Sequence, residues 1–322
     1  MITTNKTNQL PFIQKWSEKM NGSHKPMKEY EFSVTELLKE ATAILLRRRH
    51  YDELECDIQD YADINAGTCV HESLEEFAKE CGYIVEKELS YSFMVAGYQV
   101  TIYGKMDLYE PVDVELADIK NTKEATYNKN ANGQDDEWQR QLIMYAALSY
   151  LINDRTWFNG VNGMSIQARI TDLSIVKNAK NGESTDKWRL LHFDAPSTEQ
   201  RNNEILRALD RIREVLALKD TPDEELPKCS DSYCWADVKY KIYKRKAKNS
   251  EEHNKTAVSG HANYPTLEDA EKGFADAGFT DDMYVIEKTG GEPIRCMYYC
   301  DVKNFCPHYK KLMESKNEIA ES

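Results

Sequence analysis

Apolar residues first fall into a helical rhythm at Ser33. Val34, Leu37, Leu38, Ala41, Leu45 and Leu46 share one face behind a serine suited to N-capping, so SVTELLKEATAILLRRRHYDEL reads as one helix. Residues 1–30 show no such period and read as a polar, loosely attached extension. The polar run ECDIQDYADINAG reads as a loop ending at Gly67, and TCVHESLEEFAKECG as a second helix closed by Gly82. The pattern then shortens to a period of two. YIVEKELSYSFMV and YQVTIYGKMDLYEP are rich in β-branched and aromatic residues around Ala96-Gly97, which predicts a hairpin, and VDVELADIKNT predicts a third strand. After a polar loop, NKNANGQDD, the apolar spacing of EWQRQLIMYAALSYLI predicts a strong helix. MSIQARITDLSIVK reads as a further strand and TEQRNNEILRALDRIREVLAL as a long amphipathic helix, followed by the linker DTPDEELPK. The tail carries a basic, aromatic run (CSDSYCWADVKYKIYKRKAK), a short helix (PTLEDAEKGFADAGF) and a cysteine-bearing block, RCMYYCDVKNFCPHYKKLMESK. This order predicts a mixed α/β core over residues 31–226 and a cysteine-bearing region over 227–322 that packs on it.

Composition narrows the class. Hydrophobic residues make up 41% of the 322, enough for a core, which excludes a wholly disordered or fibrous chain. No apolar run approaches the ~20 residues that span a bilayer, and the first residues lack the apolar segment of a signal peptide. A cytoplasmic location and no membrane partner are therefore expected. In that compartment eight cysteines point to metal or cluster ligation more than to disulfides. The net charge of −13 does not exclude nucleic acid, because phosphate binding follows local charge and not the sum.

Candidate chemistry concentrates in GKMDLY and LADIKNT. Asp107 ends one hairpin strand, and Asp118 and Lys120 are separated by one residue on the next, so these two project from the same face. If the strands are neighbours, Asp107 and Asp118 can converge on one hard cation such as Mg²⁺. Phosphodiester hydrolysis needs such an ion to polarise the phosphate and acidify a water, with a nearby cation, here Lys120, to position that water and offset developing charge. A lone D-x-K also suits a solvated strand edge. The flanking residues favour the functional reading: His71 stands on the helix before the hairpin, and Gln141 and Tyr145, four apart, share one face of a later helix.

Together, Gly67…His71, Gly104…Asp107, Asp118-Ile119-Lys120 and Gln141…Tyr145 resemble, in order, the motifs of the PD-(D/E)XK nucleases. The match is to their RecB-like branch, which includes CRISPR-adaptation exonucleases, AddB-type helicase–nuclease subunits and phage exonucleases. The motifs span residues 33–150. The resemblance implies a restriction-endonuclease-like α/β core, a central mixed sheet flanked by helices. It implies His71, Asp107, Asp118 and the Ile119 carbonyl as ligands of Mg²⁺ or Mn²⁺, Lys120 as the catalytic lysine, and Gln141 and Tyr145 as residues that support the site and contact DNA. Asp118 replaces the usual Glu of E-x-K and is still a hard oxygen ligand. The acids Glu72, Glu86 and Glu88 read as surface residues, with Glu88 able to approach the site.

Cys296, Cys300 and Cys306 form a closely spaced triplet followed by a proline, and three thiols cannot complete a tetrahedral site. Zn²⁺ or an iron–sulfur cluster would accept four such thiolates. The resemblance implies a 4Fe–4S cluster, with Zn²⁺ as the alternative. Cys229, in the loop after Pro227, is the first choice for the fourth ligand, Cys234 the second, and Cys56 a more distant candidate. The basic run from Lys239 to Lys248, with Tyr240 and Tyr243, reads equally as a phosphate path or a solvated strand edge. Arg47, Arg48 and Arg49 sit where a helix C-terminus favours cations.

The resulting expectation is a metal-dependent deoxyribonuclease, an exonuclease by analogy, acting on single-stranded DNA or duplex ends in recombination, repair or phage DNA metabolism. A helicase or recombinase partner is expected, and the host cytoplasm if the protein is phage-encoded. The alternative is a weakly catalytic DNA- or partner-binding module with a structural zinc.

Overall fold

The polar N-terminal stretch is not featureless. In the computed structural model, which describes residues 2–5, 11–21, 28–58, 61–182, 184–236 and 238–321, Ile2–Thr4 form strand β1 and Pro11–Asn21 form helix α1. Glu31–Ser33 (β2) leads into α2 (Val34–Leu37), with the Ser33 hydroxyl accepting from the Glu36 amide at 3.1 Å as an N-cap. The single helix expected from Ser33 is broken: α2 stops at Leu37, and a second helix, α3 (Ala41–Arg49), begins after an extended Glu40. The apolar spacing runs through this break because both short helices bury the same side. Arg48 pins the pair together. Its guanidinium donates to Glu36 at 2.8 Å and to the carbonyls of Lys28, Glu29 and Glu31. Arg49 donates to the carbonyls of Leu218 and Lys219, so these two arginines serve the fold.

Glu55–Asp57 (β3) pairs in parallel with β1. The next helix, α4 (Tyr61–Glu80), starts well before Gly67, taking in residues expected to form a loop. Strands β4 (Ile84–Val95) and β5 (Tyr98–Glu110) make the expected hairpin, and Ala96 and Gly97 turn it with φ of 50° and 84°. Strand β6 (Glu115–Thr122) follows, then α5 (Glu124–Ala131) in place of part of the polar loop, and α6 (Glu137–Ile152). Strand β7 (Gly163–Ile170) is shorter than expected because Ile175–Asn181 turns into α7. Trp188–Asp194 adds β8, a strand with exposed alternate residues that the hydropathy pattern does not announce, and Thr198–Ala217 forms α8 behind a Ser197/Gln200 capping box.

These strands make a mixed sheet. Antiparallel β4 covers one edge of β5 along its length. The other edge is shared by two strands: parallel β2 pairs with Thr101–Tyr103, and antiparallel β6 pairs with Leu108–Glu110. Residues 104–107 of β5 therefore face a gap between β2 and β6. Beyond β6 come parallel β7 and antiparallel β8. The crossover from β6 to β7 runs through α5 and α6, as a parallel connection requires. Residues Gln141 to Ser149 of α6 are all buried, because the helix lies between the sheet and α8. On α4, Ala78 and the partly buried Leu74 pack on Leu108, Ala117 and Ile119. The result is a central mixed sheet flanked by helices. No described helix is long and apolar enough to cross a membrane.

The chain divides after Pro222, inside the linker, into Met1–Pro222 and Asp223–Ser322. The second unit pairs β9 (Val238–Lys244) antiparallel with β10 (Tyr284–Gly290), with α9 (Leu267–Asp276) against both strands, a five-residue turn of π-helix at Arg295–Tyr299, and α10 (Pro307–Glu321).

Candidate active site

The gap beside residues 104–107 holds the predicted motifs. Continuing the β5–β6 register places Asp107 opposite Asp118. Backbone pairing stops before that rung, and the Asp107 side chain fills the space: its Oδ2 accepts from the Ile119 amide at 2.9 Å. Gly104 belongs to the same opening. A Cβ there would stand 2.7 Å from Tyr145 Cε1 and 3.0 Å from Val34 Cγ2, so only glycine lets α6 and α2 approach this strand so closely.

Helix α4 delivers His71 to the gap from the face on which Ala117 and Ile119 are packed. Its Nε2 lies 2.9 Å from Asp107 Oδ2 and 3.1 Å from the Ile119 carbonyl, and its Nδ1 is 3.2 Å from Glu75 Oε1. The hydrogen bond to Asp107 raises the imidazole from its ordinary 6.5 to about 9, against a smaller opposing effect of burial. Burial alone would raise the Asp107 carboxyl, but His71 and the Ile119 amide outweigh it and hold the group below the usual carboxylate range.

Asp118 and Lys120 occupy the alternate positions of β6 and meet α6. Lys120 Nζ sits 2.8 Å from Asp118 Oδ2 and donates to Gln141 Oε1 at 3.1 Å. The Gln141 amide in turn donates to Asp118 Oδ1 at 3.3 Å and to the Tyr145 hydroxyl at 3.0 Å. Asp118 is 1% exposed, and its Oδ2 has the Lys120 ammonium but no well-formed hydrogen bond. Burial pushes this carboxyl up to about 6, with Lys120 opposing. Burial lowers Lys120, but the attraction and hydrogen bonding of Asp118, with the charges of Asp107 and Glu137, together outweigh it and leave the ammonium raised.

The structure thus brings His71, Asp107 and the Ile119 carbonyl to one point. Asp118, expected among the same ligands, instead faces Lys120 and Gln141. A fourth group joins from an unexpected place. Glu86, read from the sequence as a surface acid, is half-buried, and its carboxylate lies within 4.8 Å of ligand atoms of His71 and Asp107. Glu86 has a φ of 52° inside β4, and its rung opposite Asp107 is the one missing from the β4–β5 ladder. Nothing in IVEKEL marks that conformation, since left-handed backbone is announced by Gly or Asn and not by Glu. Glu88 is exposed and lines a neighbouring cavity.

In the second unit, Cys229, Cys234, Cys296 and Cys306 line one cavity of about 380 Å³. Cys234 Sγ and Cys296 Sγ are 3.4 Å apart. Cys300, expected as a ligand, is not part of that lining; Cys234 is. Sharing of hydrogens with Cys229 pushes the Cys234 thiol up to about 11, and the contact with Cys234 raises Cys296. The basic run is partly neutralised within the unit, with Lys246 bound to Glu252 and Lys248 to Asp282.

No protein-family model matches the chain, and no curated protein matches it in sequence. A crystal structure of SSO0001 is 17% identical, with alignment covering 66% of this chain and 89% of that one at a TM-score of 0.45.

Proposed function

We propose that the chain is a metal-dependent deoxyribonuclease of the PD-(D/E)XK kind, cytoplasmic, acting on DNA ends as an exonuclease in recombination, repair or phage DNA metabolism. One observation carries this reading: an imidazole nitrogen, a carboxylate oxygen and a strand carbonyl (His71, Asp107, Ile119) converge in a strand gap beside the buried Asp118 and its ion-pair partner Lys120.

The donor set suits a hard divalent cation. Nε2–H of His71 donates to both Asp107 Oδ2 and the Ile119 carbonyl, so one proton stands among three atoms that would face an ion once it leaves. His71, Asp107 and the Ile119 carbonyl would hold Mg²⁺ or Mn²⁺, with the buried Asp118 carboxylate beside them. When bound, such an ion polarises the phosphate and lowers the pKa of an attacking water. Lys120 supplies a fixed positive charge where negative charge develops on the phosphate oxygens. Asp118 and Gln141 hold that ammonium in place, and Tyr145 fixes the Gln141 amide, so the lysine loses little further freedom when substrate binds. The four thiols that line the cavity of the second unit suit a soft metal group, either a 4Fe–4S cluster as the resemblance implies or Zn²⁺, with a structural role.

The test is incubation of end-labelled single- and double-stranded DNA with and without Mn²⁺, beside Asp118→Ala. The expected result is shortening from an end by the wild type only with Mn²⁺. No cleavage under any condition, or equal cleavage by the variant, would overturn the proposal.

A further inference from the structure

Lys105 connects the metal-binding residues to a cavity that the mechanism above does not use. It lies two residues before Asp107 on β5, with its side chain on the same face. Among the described residues its ion-pair partner is Glu86, the left-handed residue of β4 whose carboxylate also lies beside His71 and Asp107. Glu88 is its register partner across the hairpin and forms no ion pair with it. The lysine also lines a cavity of about 530 Å³ together with Ser33, Thr35, Ser90, Tyr103 and Tyr145, at whose rim Glu88 contributes one carboxylate. That volume lies within the ~300–1,000 Å³ of ligand pockets. Hydroxyls, two phenols and a single ammonium are the groups that bind a sugar–phosphate chain. Tyr145 joins the cavity to Gln141 and so to Asp118 and Lys120.

Resting on the nuclease reading, we propose that Lys105 binds a DNA phosphate in this cavity and that Glu86 holds it back until a divalent ion takes the Glu86 carboxylate. One carboxylate then serves two cations in turn. Without the ion, Glu86 neutralises Lys105; with the ion, Glu86 becomes a further ligand and the ammonium is freed toward the strand. Ion loading and DNA binding are thereby coupled through a side chain that needs only to rotate.

The coupling can be read without turnover. Binding of fluorescein-labelled oligothymidylate is measured by anisotropy in EDTA for the wild type, Glu86→Gln, Lys105→Ala and the double variant. Glu86→Gln should bind roughly tenfold more tightly than wild type, as expected for one charge-assisted contact. Its affinity should also fall more steeply with salt, by about 0.7 in the log–log slope. Lys105→Ala in the same chain should erase both effects, and Lys105→Arg should keep them. Mn²⁺ binding, followed by its paramagnetic resonance signal, should weaken about tenfold in Glu86→Gln, in line with loss of one ligand or its orienting partner. A gain that persists in the double variant would reflect only the removed charge and would overturn the proposal. So would unchanged Mn²⁺ affinity in Glu86→Gln, or equal oligonucleotide binding by all four proteins. If none of the proteins binds the oligonucleotide, the nuclease reading fails first and this inference falls with it.

Discussion

Binding of a divalent ion at His71 should expel a proton, and the size of the effect follows from the geometry. In the metal-free protein the Nε2–H is shared between Asp107 and the Ile119 carbonyl, and the imidazole is raised to about 9. At pH 7 only roughly 1% of such imidazoles are deprotonated, so an ion that needs Nε2 forgoes about 3 kcal/mol of affinity there. Apparent Mn²⁺ affinity should therefore rise about tenfold per pH unit between roughly pH 6.5 and 8.5, with close to one proton released per ion. Below pH 6 the slope should steepen further, because Asp118, raised to about 6, begins to protonate beside the site. The assay is calorimetric titration in buffers of different ionisation enthalpy, repeated with His71→Gln, which retains an oxygen but cannot titrate. The variant should bind more weakly at high pH and show a flat dependence between about pH 6.5 and 8.5. A flat dependence in the wild type, or the same slope in His71→Gln, would refute the role given to this proton. The same shift has a consequence for the metal-free fold. Because the folded-state value lies above the ordinary 6.5, the charged imidazole contributes stability on the order of 3 kcal/mol that is fully present below pH 6.5 and is lost as pH rises through about 9.

Three further outcomes follow from particular contacts. Gly104→Ala would drive a methyl into Tyr145 and Val34 and should destabilise the first unit by about 1–3 kcal/mol, seen as a lower denaturation midpoint with an unchanged slope. Lys120→Ala should lower Mn²⁺-dependent DNA cleavage by about 10²–10³-fold while leaving the fold intact by circular dichroism, and full activity would remove the lysine from the mechanism. Cys234→Ser should strip the metal group from anaerobically purified protein while Cys300→Ser retains it, as measured by iron and zinc content and visible absorption. Loss in Cys300→Ser with retention in Cys234→Ser would contradict the arrangement of thiols around the cavity.

Much of the architecture is legible because hydrophobic period and turn chemistry agree. The β4–β5 hairpin is announced by alternating residues around Ala96-Gly97, α8 by its amphipathic face, and α6 by an apolar run long enough to be only a helix. The breaks are harder to see. Nothing in the spacing separates α2 from α3, since both bury the same side, and polar Tyr61–Gly67 joins α4 because tertiary packing, not propensity, sets where a helix begins. In the site, the i, i+2 relation of Asp118 and Lys120 and the i, i+4 relation of Gln141 and Tyr145 are direct consequences of strand and helix geometry and reappear as an ion pair and a hydrogen bond. Which carboxylate stands next to His71 is a different matter. It depends on the gap left where β2 and β6 share one edge of β5 and on the left-handed backbone of Glu86, neither of which a local residue pattern marks. Likewise, cysteine spacing points to a candidate metal-binding region, but which thiols line the cavity, Cys234 among them and Cys300 not, is set by the coil of Arg295–Tyr299 and not by spacing.

The most direct test of the central claim is the anomalous scattering of Mn²⁺ diffused into crystals of this protein. A single strong peak bonded to His71 Nε2, Asp107 and the Ile119 carbonyl, with Glu86 or Asp118 turned toward it and Lys105 released from Glu86, is the predicted result. A peak elsewhere, or an undisturbed His71–Asp107 hydrogen bond at saturating Mn²⁺, would contradict it.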